Sequence, residues 1–162
     1  MSALDDFHAL VAGVNYPMFI VTAAAEGRRA GCLIGFATQA SIAPPRLLVL
    51  ISKANHTYRV ARDATTLAVH FLREDNYELA TLFGEQTGDE VDKFATLRWQ
   101  EGPGHAPILE GTRGWVAGPV IDRFDAGDHV AHLIGVQEAA AAIPGPQLAF
   151  QAVRDMEPGH PA

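Results

Sequence analysis

Residues 31–51, GCLIGFATQASIAPPRLLVLI, carry the pattern on which the fold class depends. Pro44 and Pro45 exclude a helix in the middle of this stretch, because proline lacks a backbone N–H and clashes with the preceding helical turn. The apolar run Leu47–Ile51 is too short for a helix and is predicted to be a strand buried on both faces. Residues 30–37 are apolar but contain two glycines, which predicts a strand that another group, such as a ligand, approaches closely.

The flanking segments continue this pattern of strands with short helices between them. A helix is predicted at 4–13, where apolar residues recur at helical spacing behind an acidic first turn. Within the tail rich in proline and glycine, only 148–153 has the composition of a strand. Further strands are predicted at 18–22, 67–71, 115–124 and 129–137, turns at 26–29 and 125–128, and short helices at 58–62, 77–83 and 89–94. Seven or so strands without regular strand-helix alternation favour an antiparallel barrel or sandwich over a doubly wound parallel sheet.

Size and charge narrow the class of protein further. A chain of 162 residues, 48% of them hydrophobic, is predicted to form one domain over 1–162 with a frayed end at 157–162. The formal charge of −7, with no basic cluster larger than Arg28-Arg29, argues against binding to nucleic acid.

The lone Cys32 can form no intramolecular disulfide, which indicates a reducing compartment. The sequence shows no basic N-terminal leader peptide and no apolar run that approaches the roughly 18 residues of a membrane span. A cytoplasmic location away from membranes is therefore expected.

Common catalytic motifs are absent from the sequence. It contains neither G-x-G-x-x-G after a strand, nor a phosphate-binding G-x-x-x-x-G-K-[ST], nor G-x-S-x-G. His129 and His132 are three residues apart on a predicted strand, so they point to opposite faces and no metal site is expected. Cys32 lies in an apolar segment, which raises a thiol pKa and favours a core residue over a nucleophile.

The segment 53–62 is more informative. Lys53, small polar side chains and a helix N-terminus would together bind a phosphate, although an ordinary capped surface helix explains the same residues. Taken alone, 127–129 is a hairpin turn and 92–94 is the end of an amphipathic helix.

Four motifs in this order nevertheless resemble one family. They are residues 31–49, Asn55-His56-Thr57, Asp92-Lys93-Phe94 and Gly127-Asp128-His129. Together they resemble the flavin reductase-like, FMN-binding split-barrel proteins over roughly residues 7–137. The resemblance implies a mainly β fold with short helices, an antiparallel Greek-key split barrel, and a homodimer with flavin near the subunit interface. It also implies hydride transfer from NADH or NADPH to FMN, with FAD as an alternative flavin and a monooxygenase component as a further partner.

The resemblance also implies which residues form the site. Residues Thr38, Gln39, Ala40 and Ser41 would line the flavin ring, and Lys53, Asn55, His56 and Thr57 would receive its phosphate. Lys93 and Phe94 would lie near the flavin, and His129 would face the nicotinamide as the catalytic residue, although a turn-closing hydrogen bond also explains His129.

This sequence departs from the family pattern at 33–36, where hydroxyl residues are common in relatives and Leu33, Ile34, Gly35 and Phe36 stand here. Phe36 therefore either packs on the flavin or fills the core. The departure keeps two alternatives open: a module that binds flavin, deazaflavin or haem without NAD(P)H turnover, and a structural dimer that has lost its ligand.

Overall fold

The computed structural model describes residues 2–85 and 92–157. Its helices are α1 (Ala3–Ala12), α2 (His56–Ala61) and α3 (Tyr77–Glu85). Its strands are β1 (Phe19–Ala25), β2 (Arg28–Ile34), β3 (Ala37–Ser41), β4 (Arg46–Ser52), β5 (Thr66–Phe71), β6 (Trp99–Glu101), β7 (Pro107–Leu109), β8 (Gly114–Asp125), β9 (His129–Gly135) and β10 (Glu138–Ala141).

The strands form one large antiparallel sheet and one small hairpin. The large sheet has the order β2-β1-β5-β8-β9-β4-β3, with β10 paired to the first half of β8, while β6 and β7 pair with each other. The edge strands β2 and β3 are consecutive in the chain, joined only by Gly35 and Phe36, so the sheet curls to bring its two edges together. This architecture confirms the predicted mainly β, antiparallel split barrel with short helices.

Two apolar cores lie on opposite sides of β1. Val21 and Ala23 belong to the barrel interior, into which α2 packs Val60 and Ala61. Ile20 faces the second core, between the sheet and α3. Because β1 is buried on both faces, its sequence is apolar apart from Thr22, whose buried hydroxyl donates to the Pro107 carbonyl.

The prediction that 47–51 is a strand buried on both faces was half wrong. Val49 and Ile51 have no exposed surface, whereas Leu48 and Leu50 are only partly buried. Alternate side chains of β4 therefore leave the core, and Leu50 lines a cavity described below.

The expected strand at 148–153 was also wrong. Only Ala149 pairs in a strand-like manner, with Pro17, and the backbone then turns into a short 3-10 helix at Phe150–Ala152. The amide of Leu148 already donates to the Leu72 carbonyl and the amide of Phe150 to that of Tyr16, so these residues are held without joining the sheet. Residues 89–91 of the predicted helix at 89–94 lie outside the described residues, and its last two residues begin a 3-10 helix at Lys93–Thr96.

Two buried histidines are held in their neutral form. His70 donates from Nδ1 to the Ile20 carbonyl at 3.0 Å and accepts at Nε2 from the Leu109 amide at 2.9 Å. Burial lowers the pKa of His70 to about 4. Burial and the nearby positive charge of Arg123 likewise lower the pKa of His132 to about 4. These shifts make the stability of the fold depend on pH.

The free energy of unfolding is expected to fall as the pH drops from about 6.5 to about 4, because the unfolded chain binds protons at His70 and His132 that the folded chain does not. Each histidine contributes a slope of up to about 1.4 kcal/mol per pH unit in that window and none well above it. Urea unfolding across this range measures the slope, and His70→Gln is expected to reduce it by about half. A stability that stays flat across the window contradicts the assignment.

Gly118 is predicted to be intolerant of any side chain. A Cβ there would overlap the Gly135 carbonyl oxygen and lie 2.9 Å from the Gln137 amide nitrogen, and these backbone atoms cannot rotate away. We expect Gly118→Ala to cost about 3 kcal/mol of unfolding free energy, measured by urea denaturation. Gly13→Ala is the matched control, since its Cβ would meet only the Leu10 carbonyl at 3.6 Å and should leave stability within about 1 kcal/mol. Equal effects of the two substitutions would refute this explanation.

Candidate ligand-binding cavity

A cavity of about 290 Å³ opens at the seam where the chain passes from edge strand β2 to edge strand β3. Leu33–Phe36 form one wall and Leu50 and Ser52 of β4 form another. Asn55, the residue before α2, and Phe83 and Gly84 of α3 also line it. We call this space the seam cavity; it lies near the lower limit of volumes typical of small-molecule sites.

A row of aromatic rings borders the mouth of the seam cavity. Phe150 stacks on Tyr16 with ring centroids 4.7 Å apart, and Tyr16 lies 6.3 Å from Phe36, which is 4.9 Å from His129. The Tyr16 ring occupies the place where a Cβ at position 35 would lie, so Gly35 cannot be replaced by a larger residue without moving that ring. Phe36 remains half exposed, so the ring is available to a ligand entering the mouth.

His129 is fixed at the mouth of the seam cavity. It is the first residue of β9, pairs with Ser52 of β4, and its Nδ1 lies 2.6 Å from Asp128 Oδ1. The hydrogen bond from His129 lowers the pKa of the Asp128 carboxyl. His132 lies on the opposite face of β9 with no exposed surface, as the alternation of the strand predicts.

The segment predicted to receive a phosphate divides into exposed and buried parts. Asn55 lines the seam cavity and caps α2 by accepting a hydrogen bond from the Thr57 amide at 2.9 Å. The Thr57 side chain is buried, and His56 is the partly buried first residue of α2. Lys53 projects outward, where its Nζ lies 2.6 Å from Asp125 Oδ2.

The structure does not bring residues 38–41 to the seam cavity. They form β3, and Thr38 and Gln39 instead line a separate apolar groove of about 410 Å³. Gln39 and Ala40 are exposed on this edge strand. The wall of the seam cavity is formed a few residues earlier, at 33–36, and the glycines at 31 and 35 were the sequence signal for it.

Lys93 and Phe94 lie behind the wall of the seam cavity. Phe94 packs against Phe83, with ring centroids 5.6 Å apart. The Lys93 ammonium is buried and donates to the carbonyl oxygens of Gly31 and Phe83. Neither residue lines the cavity, but both hold residues that do.

Cys32 is a core residue, as predicted. It is 1% exposed, and burial raises the pKa of its thiol to about 11, which keeps it protonated at neutral pH. Among residues 2–85 and 92–157, no three His, Cys, Asp or Glu side chains are placed to hold a metal ion. Within the same residues, no helix is long and apolar enough to cross a membrane.

The curled sheet is the fold of known flavin reductase structures. The chain superposes on the crystal structure of a flavin reductase domain protein from Arthrobacter sp. FB24 with a TM-score of 0.83 at 23% identity, covering 91% of this chain and 90% of that one. The model of the flavin reductase like domain family matches residues 11–152. The chain belongs to this family.

Curated relatives are longer than the chain. It is 31% identical over 127 residues to the "Probable flavin reductase" of Rhizobium meliloti, and 29% identical over 134 residues to the reductase component of the flavin-dependent trigonelline monooxygenase of Acinetobacter baylyi. It is 31% identical over 123 residues to the FMN reductase (NADH) RutF of Methylorubrum extorquens. These matches cover 78%, 83% and 76% of this chain, but only 39%, 41% and 60% of the respective relatives.

Proposed function

We propose that the chain is an NAD(P)H-dependent flavin reductase that binds FMN in the seam cavity. FAD is the alternative flavin, and NADH or NADPH is the hydride donor. The observation that carries the proposal is the seam cavity itself, an apolar space bordered by aromatic rings and His129 in a fold of the flavin reductase like domain family. The similarity to an FMN reductase (NADH) supports the choice of ligands.

The residues of the seam cavity fit a flavin ring, which is flat, largely apolar and polar along one edge. Leu33, Leu50 and Phe83 supply apolar surface, and Ser52 and Asn55 supply hydrogen-bonding groups. A side chain at Gly84 would lie 2.9 Å from Leu33 and narrow this space.

The bound flavin supplies the hydride chemistry, so the protein must mainly hold two rings in contact. Asp128 orients His129 by accepting its Nδ1–H, which places a fixed imidazole at the mouth. The half-exposed Phe36 extends the same surface, on which a nicotinamide ring can stack. Lys53, although paired with Asp125, carries the positive charge nearest to Asn55 in the sequence and is suited to the flavin phosphate.

Anaerobic absorbance spectroscopy of the purified protein with FMN tests the proposal. Addition of NADH or NADPH is expected to bleach the flavin band at a rate well above that of free FMN with the same nucleotide. An unbleached band with FMN bound would instead support a binding module without turnover. Failure to bind any flavin would support the structural alternative.

We also propose that the reduced flavin serves a monooxygenase partner and that the chain works as a homodimer in the cytoplasm. The similarity to a monooxygenase reductase component supports the partner. The exposed apolar face of α1, with Leu4, Phe7 and Leu10, supports the dimer, because exposed apolar patches often mark an interface. Ile42, Ile121 and Phe124 are further exposed apolar side chains.

The dimer predicts a sedimentation mass of about twice the 17.4 kDa of the chain at micromolar concentration. Leu10→Asp and Phe124→Asp, placed on exposed sites that folding does not require, test which face is covered. A wild-type monomer that retains bound FMN would contradict this proposal.

His129→Ala is expected to slow flavin reduction. If His129 positions the nicotinamide, the substitution should raise the KM for NAD(P)H or lower the anaerobic reduction rate by about tenfold, about 1.4 kcal/mol, with little change in the flavin Kd. His105→Ala is the control, because His105 also pairs with a carboxylate, Glu101 at 3.2 Å, but does not line the seam cavity. An unaltered rate in His129→Ala, or an equal defect in both variants, would show that His129 is structural.

Lys53→Ala is expected to weaken binding of FMN several-fold more than binding of riboflavin, which has no phosphate. Asp125→Asn should have the opposite effect, because it releases Lys53 from its 2.6 Å ion pair. Fluorescence titrations of both ligands measure the difference. Equal changes for FMN and riboflavin would place Lys53 away from the phosphate.

A further inference from the structure

Within residues 2–85 and 92–157, Lys93 is a buried cation that pairs with no carboxylate. It is 5% exposed, and its Nζ donates to the Gly31 carbonyl at 3.0 Å and the Phe83 carbonyl at 3.1 Å. Among the described residues no carboxylate lies within ion-pair distance of it, and the neighbouring Asp92 pairs with Arg29 instead. Burial of an ammonium that no anion compensates is costly, so a physical reason for it is needed.

The position of Lys93 suggests that reason. The two carbonyls that hold the ammonium belong to β2 and α3, and these elements supply Cys32, Phe83 and Gly84 to the wall of the seam cavity. The ammonium lies 5.4 Å from the centre of the Phe83 ring, which itself lines the cavity. One layer of side chains therefore separates a positive charge from the ligand space. In such a poorly solvated region the field of a charge is screened far less than in water.

We propose that Lys93 makes the seam cavity favour the negatively charged, two-electron-reduced form of its ligand over the neutral oxidised form. This inference rests on the proposed function, under which the ligand is a flavin. Hydride transfer adds two electrons and one proton to the ring, so a neutral ring gains one negative charge while the nicotinamide becomes cationic. A fixed positive charge behind the wall stabilises the anionic, reduced ring. It has little effect on the oxidised ring, which carries no net charge.

The surroundings of Lys93 keep that charge in place. Burial lowers the pKa of the ammonium, whereas its hydrogen bonds to two carbonyl oxygens favour the protonated form. The thiol of Cys32 interacts electrostatically with the ammonium, but its raised pKa keeps it neutral, so it does not cancel the charge. The Phe83 ring contributes a cation–π contact on the cavity side.

Binding of oxidised and dithionite-reduced FMN to the wild-type protein gives the first test, and it needs no NADH turnover. Reduced FMN is expected to bind about tenfold more tightly than oxidised FMN, which for a two-electron couple raises the midpoint potential of bound FMN by about 30 mV. Equal or weaker binding of reduced FMN would overturn this inference and leave the flavin reductase proposal intact. Absence of FMN binding in both redox states would overturn both.

Three variants then separate charge from packing. Lys93→Met keeps the length of the side chain but removes the charge, and should lower the ratio of the two Kd values several-fold. Lys93→Arg should preserve the ratio. Arg123→Met is the matched control, because Arg123 also holds two main-chain carbonyls, those of Ala61 and Ala64 at 2.9 and 2.6 Å, but does not border the cavity.

Arg123→Met is expected to lower stability and leave the redox preference unchanged. A preference that survives in folded Lys93→Met, or that disappears equally in Arg123→Met, would refute the role of Lys93. Lys93→Gln is a second neutral variant in case Lys93→Met does not fold, and it should lower the ratio in the same way.

Discussion

The two-residue link between β2 and β3 forces the whole sheet to curl. In a flat sheet of the observed order these edge strands would be six strand spacings apart, about 29 Å. Three Cα–Cα steps, from Ile34 to Ala37, span at most about 11 Å. The sheet must therefore curl until its edges meet, and this closure gives β1 a buried inner face and leaves a seam where the edges diverge.

The seam concentrates the chemical features of the molecule. The chain enters it through Gly35, which leaves room for Tyr16, and β4 and β9 bring Ser52 and His129 side by side. The backbone of the β8–β9 turn is tied to the same place, because the Lys53 amide donates to the Asp128 carbonyl. Closure of the barrel thus brings together polar groups that lie far apart in the sequence, around a space with mostly apolar walls.

Most of the fold could be predicted from the sequence, and much less of the site. The run at 18–22, the proline pair and the turn at 125–128 act locally, so they indicate strands and turns correctly. Contacts between distant residues are not visible in this way: the buried position of Lys93 depends on carbonyls 62 and 10 residues away. The same limit applies to 38–41, which the family resemblance implies at the flavin ring: only the curl of the sheet shows that they lie outside the seam cavity, whose wall is formed at 33–36. The segment 148–153 has the composition of a strand but turns away because its amides find partners outside the sheet.

We propose that the seam cavity, and not the groove beside β3, holds the flavin. Hydrogen exchange of backbone amides with and without FMN distinguishes the two places, since amides covered by a ligand exchange more slowly. Slower exchange is expected at 33–36, 52–57 and 127–130, with no change at Thr38–Ser41. Protection confined to β3 and its groove, with unaltered exchange around the seam cavity, would contradict it.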